Sequence, residues 1–243
     1  MVAARNFRYR LFYVTLYVGL GLIAFVCVTP FLHVIALSLS SNAAIKVGAV
    51  GLWPVRAHLH NYRVILRAPY LTGALVNSVL RVLLGVSLTL VVTLLTAYPL
   101  SRDAVPMYGR TSFKMIMLFG SMFSGGMIPT YLAYRSLGLL DKFAVLILPG
   151  ALGVYFVILA MNYMRGIPSE LWEAALLDGA GHLDVLYRIY LPLSRPVLAT
   201  IALFSAVEHW NSWFDGVLYL SDIERWPLQR NTMARRARKP VPS

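Results

Sequence analysis

Charge is scarce in this sequence. Only 13% of its 243 residues are Asp, Glu, Lys or Arg, against roughly 25% in a soluble globular domain. A chain so poor in charge cannot cover a water-facing surface, which excludes an ordinary soluble enzyme. Cysteine is nearly absent: Cys27 stands alone, so no intrachain disulfide can form, and no metal-ligand spacing surrounds it. The five histidines do not combine with a nucleophile or a third ligand. His58 and His60 form an isolated pair in a loop, and His33 and His182 read as surface or span-end residues. No catalytic or metal site is expected. No G-x-x-x-x-G-K-[ST] stretch occurs, since Lys46 and Lys114 follow no glycine-rich loop, so no ATP or other cofactor is expected on this chain. There is no repeat of about 20–50 residues and no low-complexity linker.

What is present is apolar sequence: 58% of residues are hydrophobic and the mean hydropathy is +0.67. The formal charge of +12 would suggest nucleic acid in a soluble protein. Here the basic residues lie between apolar runs, where Lys and Arg hold loops on the cytoplasmic side, so no nucleic-acid partner is expected. Arg5, Arg8 and Arg10 precede a run from Leu11 to Leu39 with no Lys, Arg, Asp or Glu. A signal-peptide core is only about 7–15 residues long, so this run reads as a retained membrane span.

A helix needs about 20 apolar residues to cross a bilayer, and backbone groups there must be satisfied internally, which dictates helices. Five runs qualify: Leu11–Leu39, Leu71–Leu100 with Arg81 inside it, the stretch between Lys114 and Arg135, the stretch between Lys142 and Arg165, and Pro196–Leu220. The expected fold is an all-α polytopic bundle of five spans in one membrane domain, residues 1–229, followed by a basic non-spanning tail, 230–243. With the N-terminus inside, nine basic residues fall on inner segments and six on outer loops. This bias near span ends places the N-terminus in the cytoplasm. The tail then falls outside despite Arg230, Arg235, Arg236, Arg238 and Lys239.

One loop differs from the rest. Between Arg165 and Arg195, Pro168 suits the start of a short helix, with Glu170 favoured early in it by the dipole. The helix is expected to run to about Asp178. Gly179 suits the left-handed residue that ends it. A second helix from about His182 to Tyr190 follows, with Pro192 stopping it or turning it into the next span. Leu171, Trp172 and Leu176 offer an apolar face, and Ala174 and Ala175 leave room for another surface. The physics alone supports a surface-lying helical hairpin.

The fixed residues say more. Glu173-Ala174-Ala175, three residues, Gly179, nine residues, then Ile189-x-Leu191-Pro192 resembles the EAA signature of ABC-importer permease subunits. Gly51-Leu52-Trp53-Pro54 with Asn61-Tyr62, and Ala97-Tyr98-Pro99-Leu100-Ser101-Arg102, resemble carbohydrate permeases of the maltose-transporter type. Ser124-Gly125-Gly126-Met127-Ile128-Pro129-Thr130 and His209-Trp210-Asn211-Ser212-Trp213 are similar to an oligosaccharide subgroup. The resemblance covers about residues 5–229. It implies a non-catalytic permease in a bacterial cell membrane, paired with a second permease subunit. Cytoplasmic ATP-binding subunits would use the ATP, and an extracellular or periplasmic solute-binding protein would deliver a sugar. Glu173, Ala174, Ala175, Gly179, Ile189, Leu191 and Pro192 would form the coupling loop that docks on the ATPase. The family carries a sixth span after the fifth, so five spans and a basic end mark a departure.

The fifth span is polar in its second half, where Glu208, His209, Asn211, Ser212 and Asp215 interleave with Trp210, Trp213, Phe214 and Tyr219. Ionisable groups inside a membrane usually face a cavity or the bundle interior, and aromatic faces beside polar groups suit a sugar ring. The candidate pathway residues are Asn77, Gly125, Gly126, Glu208, Trp210, Asn211, Trp213 and Asp215, with Arg81 either lining the path or snorkelling outward. An interfacial aromatic belt is the plainer alternative. An ion-driven carrier using the Glu208–Asp215 cluster is the competing class.

Overall fold

The computed structural model describes residues 7–66, 69–102, 107–222 and 226–228, and every regular element among them is helical. The expected all-α class is what the chain adopts. The basic segment 230–243 lies outside the described residues. The chain falls into two compact units, one ending at Pro69 and one beginning at Tyr70, taken in turn below.

In the first unit α1 (Phe7–Leu39) is followed by α2 (Asn42–Lys46) and α3 (His60–Leu66). Apolar side chains are exposed all around α1, among them Phe12, Val26 and Phe31, as befits a helix surrounded by apolar material. The loop after it closes the helix end. Asn61 Nδ2 donates to the carbonyls of Ser38 and Ser40, each at 3.1 Å, and the Val55 amide donates to Ser40 Oγ at 3.0 Å. Asn61, in the outer-loop motif, is therefore a helix-end cap.

The second unit holds α4 (Pro69–Ser101) from its second residue on, and the helix starts two residues earlier than expected. Its buried stripe runs Ala74, Ser78, Arg81, Gly85, Thr89, Thr93, Ala97, at three- and four-residue spacing. Small and polar side chains on a membrane helix let neighbours approach and hydrogen-bond. The other spans are not straight. α5 (Arg110–Met122) and α6 (Met127–Ser136) meet at 119°. The turn is at Gly126, whose φ of +85° is closed to side-chain-bearing residues. Pro129, in the first turn of α6, forfeits no helical bond there. Two 3₁₀ turns, Phe143–Leu146 and Leu148–Gly150, lead at 44° into α7 (Val154–Arg165). Then come α8 (Ser169–Leu177), α9 (His182–Val185), a π turn at Leu186–Tyr190 and α10 (Leu191–Leu193). α11 (Arg195–Asn211) and α12 (Phe214–Tyr219) complete the order. Among the described residues α1 and α4 are each long and apolar enough to cross a membrane, and there are up to five spans when each bent pair counts as one. The fifth span differs from the continuous Pro196–Leu220 segment expected: its helix stops at Asn211 and resumes at Phe214.

Pro192 does not stop the second loop helix. The helical path continues to Leu193 and turns by 78° at Ser194. A proline ring crowds the carbonyl four residues back, here that of Arg188. The π turn supplies the room: the Leu191 amide donates to the carbonyl of Leu186, five residues back. Pro196 then sits in the first turn of α11, where its missing N–H costs nothing.

The main core joins α4 (Ala97, Tyr98, Leu100), α7 (Phe156, Val157, Ala160, Met164), the loop (Ile167, Val185, Leu186, Tyr190) and α11 (Val197, Ile201). The loop is thus built into the hydrophobic core and is not merely laid over it.

Candidate functional site

The hairpin between α7 and α11 closes as its sequence dictates. Gly179 has φ +81°. Its amide donates to the Leu176 carbonyl at 3.0 Å, and that of Ala180 donates to Ala175 at 2.9 Å. These two bonds are a complete Schellman ending, which satisfies the last carbonyls of α8. No atom lies within 4 Å of where a Gly179 side chain would begin, so glycine is needed for its backbone and not for space.

The turn gives the hairpin two faces. Trp172, Ala175, Leu176, Ala180 and Ile189 pack against the core, and Leu191 and Pro192 are half-buried. Glu173, Ala174 and Gly179 are exposed. Beside them stand Leu177, 89% exposed, Leu183, 73% exposed, and Tyr187. The two alanines, equivalent in sequence, therefore differ in place: Ala175 lets the chain's own core close, while Ala174 is exposed. His182 is a surface residue, stacked on Trp172 with centroids 6.4 Å apart.

Arg102 fastens the hairpin to the end of α4. Its Nε donates to the Tyr190 hydroxyl at 2.8 Å, its Nη2 donates to the Ile167 carbonyl, and its guanidinium lies 5.9 Å from the Tyr190 ring centre. Tyr98 meets the same ring edge-on at 5.0 Å. An open groove of about 510 Å³ lies beside this junction, lined by Tyr163, Pro168, Leu171 and Leu193 among others.

A second cavity, of about 310 Å³, lies at the interruption of the fifth span. Arg81, Tyr134, Pro149, Gly150, Glu208, His209, Ser212, Asp215 and Tyr219 are among its lining residues. Arg81 is buried, not snorkelling: it is 2% exposed and paired with Asp215. The His209 ring rests on Gly85, where a Cβ would lie 2.4 Å from Nε2. Tyr219 stacks on Tyr131 and meets Tyr134 edge-on at 5.1 Å.

Of the pathway residues expected from sequence, the structure brings Glu208 and Asp215 to this cavity. Asn77 donates to the Trp226 carbonyl at 3.5 Å on the same helix as Arg81. Gly125 and Gly126 form the break before α6 and do not line the cavity, and Trp210, Asn211 and Trp213 are exposed outside it. Sequence reasoning missed Gly85, Tyr134 and the anchoring role of Arg102. A signal existed for the first: Arg81, Gly85, Thr89 and Thr93 recur every four residues on an otherwise apolar helix.

Comparison with known proteins finds matches along most of the chain. Residues 2–214 match the family described as the inner membrane component of binding-protein-dependent transport systems. The polygalacturonan/rhamnogalacturonan transport permease YtcP of Bacillus subtilis is 40% identical over 220 residues, covering 90% of this chain and 76% of that one. The diacetylchitobiose uptake permease NgcG of Streptomyces coelicolor is 28% identical over 213 residues, covering 86% and 70%. A solved bacterial ABC transporter involved in importing the acidic polysaccharide alginate has a chain that superposes with a TM-score of 0.91 at 33% identity, covering 100% of this chain and 86% of that one.

Proposed function

This chain belongs to the family of inner membrane components of binding-protein-dependent transport systems, and from that premise we propose that it is a permease subunit of an ABC importer carrying a saccharide across the bacterial cell membrane. The named relatives that transport polygalacturonan or diacetylchitobiose, and the alginate importer, support the saccharide class. The chain supplies the path, not the chemistry. A second permease subunit completes the path, cytoplasmic subunits bind and hydrolyse ATP, and a solute-binding protein delivers the substrate from outside. The excess of basic residues on the inner segments favours a cytoplasmic N-terminus.

The hairpin is the docking element for the ATPase, and its two-faced packing is the observation that carries this reading. Trp172, Ala175 and Ile189 are held in the core, while Glu173, Ala174, Leu177 and Gly179 are presented outward. A rigid element with one exposed edge converts closure of an ATPase dimer into movement of the spans it is packed against. Through the Ser194 corner it drives α11, and through Arg102 it drives α4. The cavity at Glu208 and Asp215 is the saccharide path, where tyrosine faces meet the apolar faces of the ring and polar groups meet its hydroxyls. Asn77, Gly125, Gly126, Trp210, Asn211 and Trp213 belong to the path beyond this cavity, the last three on the exposed face available to the second permease.

The test is co-purification of the ATPase subunit with Glu173→Lys and Gly179→Val variants, alongside ATP-dependent uptake. Loss of both is expected. Retention of association and uptake by both variants would show that the hairpin does not couple.

A further inference from the structure

The interruption of the fifth span leaves a specific deficit. Ser212 is extended, with φ −72° and ψ 113°, and Trp213 precedes the next helix with φ −117° and ψ −28°. The carbonyl of Ser212 therefore has no place in a continuous helical ladder, and in a membrane it needs a donor from the protein. That donor comes from α4. Arg81 Nη1 donates to the Ser212 carbonyl at 2.8 Å and to Asp215 Oδ1 at 3.2 Å, while Nη2 donates to Asp215 Oδ2. Asp215 Oδ1 also accepts the amide of Gly216 at 2.7 Å. One turn along α4, Gly85 leaves the hollow that seats His209. One face of α4 thus holds both sides of the break, downstream by charge and upstream by close packing.

The pairing also fixes the charge of the cavity wall. Arg81 is spent on Asp215. Glu208, an exposed residue that also lines the cavity, makes no side-chain hydrogen bond or ion pair among the described residues. Its carboxyl oxygens are set to accept hydrogen bonds from hydroxyl groups.

We infer that Arg81 is a positioning residue for transport: by bridging Ser212 and Asp215 it keeps the fifth span interrupted, and so holds Glu208 toward a hydroxyl-rich substrate. This rests on the cavity being part of the saccharide path. Lysine cannot replace it, because a point ammonium cannot span a carbonyl and both oxygens of a carboxylate as a planar fork does.

The experiment uses the assembled transporter in proteoliposomes with its solute-binding protein. The probe is whichever labelled saccharide the wild type takes up from a panel of oligogalacturonides, chitooligosaccharides and maltooligosaccharides. The double variant Arg81→Met/Asp215→Asn removes both charges together, so no lone buried charge remains. It is expected to assemble at wild-type yield with maximal uptake reduced about tenfold or more, and with the half-saturating concentration of loaded binding protein unchanged. Arg81→Lys is expected to fall between the two. Wild-type uptake by the double variant would overturn the inference. So would its failure to assemble, because the pair would then serve folding alone. Glu208→Trp separates the underlying reading: if this cavity-filling variant transports normally, the cavity is not the path. If it blocks uptake while the double variant transports normally, only the role of Arg81 is lost.

Discussion

Gly179→Ala isolates the turn from the contact. The glycine sits at φ +81° with nothing within 4 Å of the place a Cβ would take, so the penalty for alanine is conformational and not steric. A left-handed L-residue costs about 1–2 kcal/mol. With 1.4 kcal/mol per tenfold, the closed turn then loses about 5- to 30-fold in its equilibrium against opening. The reporter is the Ala180 amide, which donates to the Ala175 carbonyl only when the Schellman ending is formed. Hydrogen exchange on the purified subunit is expected to show that loss of protection at Ala180, with amides in the middle of α4 unaffected. Asparagine tolerates the left-handed region better than alanine does, so Gly179→Asn is expected to retain more protection than Gly179→Ala although it is larger. Protection in the alanine variant equal to the wild type, or an order that follows side-chain size, would refute the backbone argument. ATP-dependent uptake gives the complementary reading: the asparagine variant retains more of the turn, and on the proposed coupling any further uptake it loses reports on contact with the ATPase.

Two further substitutions probe the packing that supports the site. Gly85→Ala places a methyl group 2.4 Å from His209 Nε2 and is expected to destabilise the subunit by about 1–3 kcal/mol through overpacking. Gly85→Ala/His209→Ala recovers part of that loss in thermal unfolding in detergent, because the two positions share one contact. Arg102→Met removes the bonds to Tyr190 and Ile167, each worth about 1.5–3 kcal/mol for a charged donor. Limited proteolysis is expected to cut the variant faster between α8 and α9, with Arg102→Lys intermediate.

The hairpin between α7 and α11 was legible because its signals are local. Gly179, the early Glu170 and the helix lengths follow from capping and dipole rules that act over a few residues, and the left-handed turn stands where the glycine stands. Pro192 was legible only as a stop or a turn into the next span, because which of the two it makes depends on the π turn upstream, which no propensity announces. Ala174 and Ala175 show the limit of spacing: adjacent and identical, they differ in exposure within one turn, and only packing says which is inward. Length alone marks the five apolar runs, but the breaks within three of them depend on backbone conformation at Gly126, at the Leu148–Gly150 turn and at Ser212. Arg81 is the clearest case of a long-range decision. On its helix alone, snorkelling and lining were equal choices. What settles it is Asp215, 134 residues away, together with a carbonyl freed by a helix break. The same pair removes half of the Glu208–Asp215 cluster that an ion-driven carrier would need as a cation site.

The central claim is that the exposed edge of the hairpin docks on a cytoplasmic ATPase subunit while its other face stays in the core. Site-specific photo-crosslinking in the assembled transporter tests it most directly, with the crosslinker placed in turn at Leu177, at Leu183 and at the buried Tyr190. The account predicts crosslinks to the ATPase subunit from Leu177 and Leu183 and none from Tyr190. Crosslinks from Leu177 and Leu183 to lipid or to the second permease, with none to the ATPase, would contradict it.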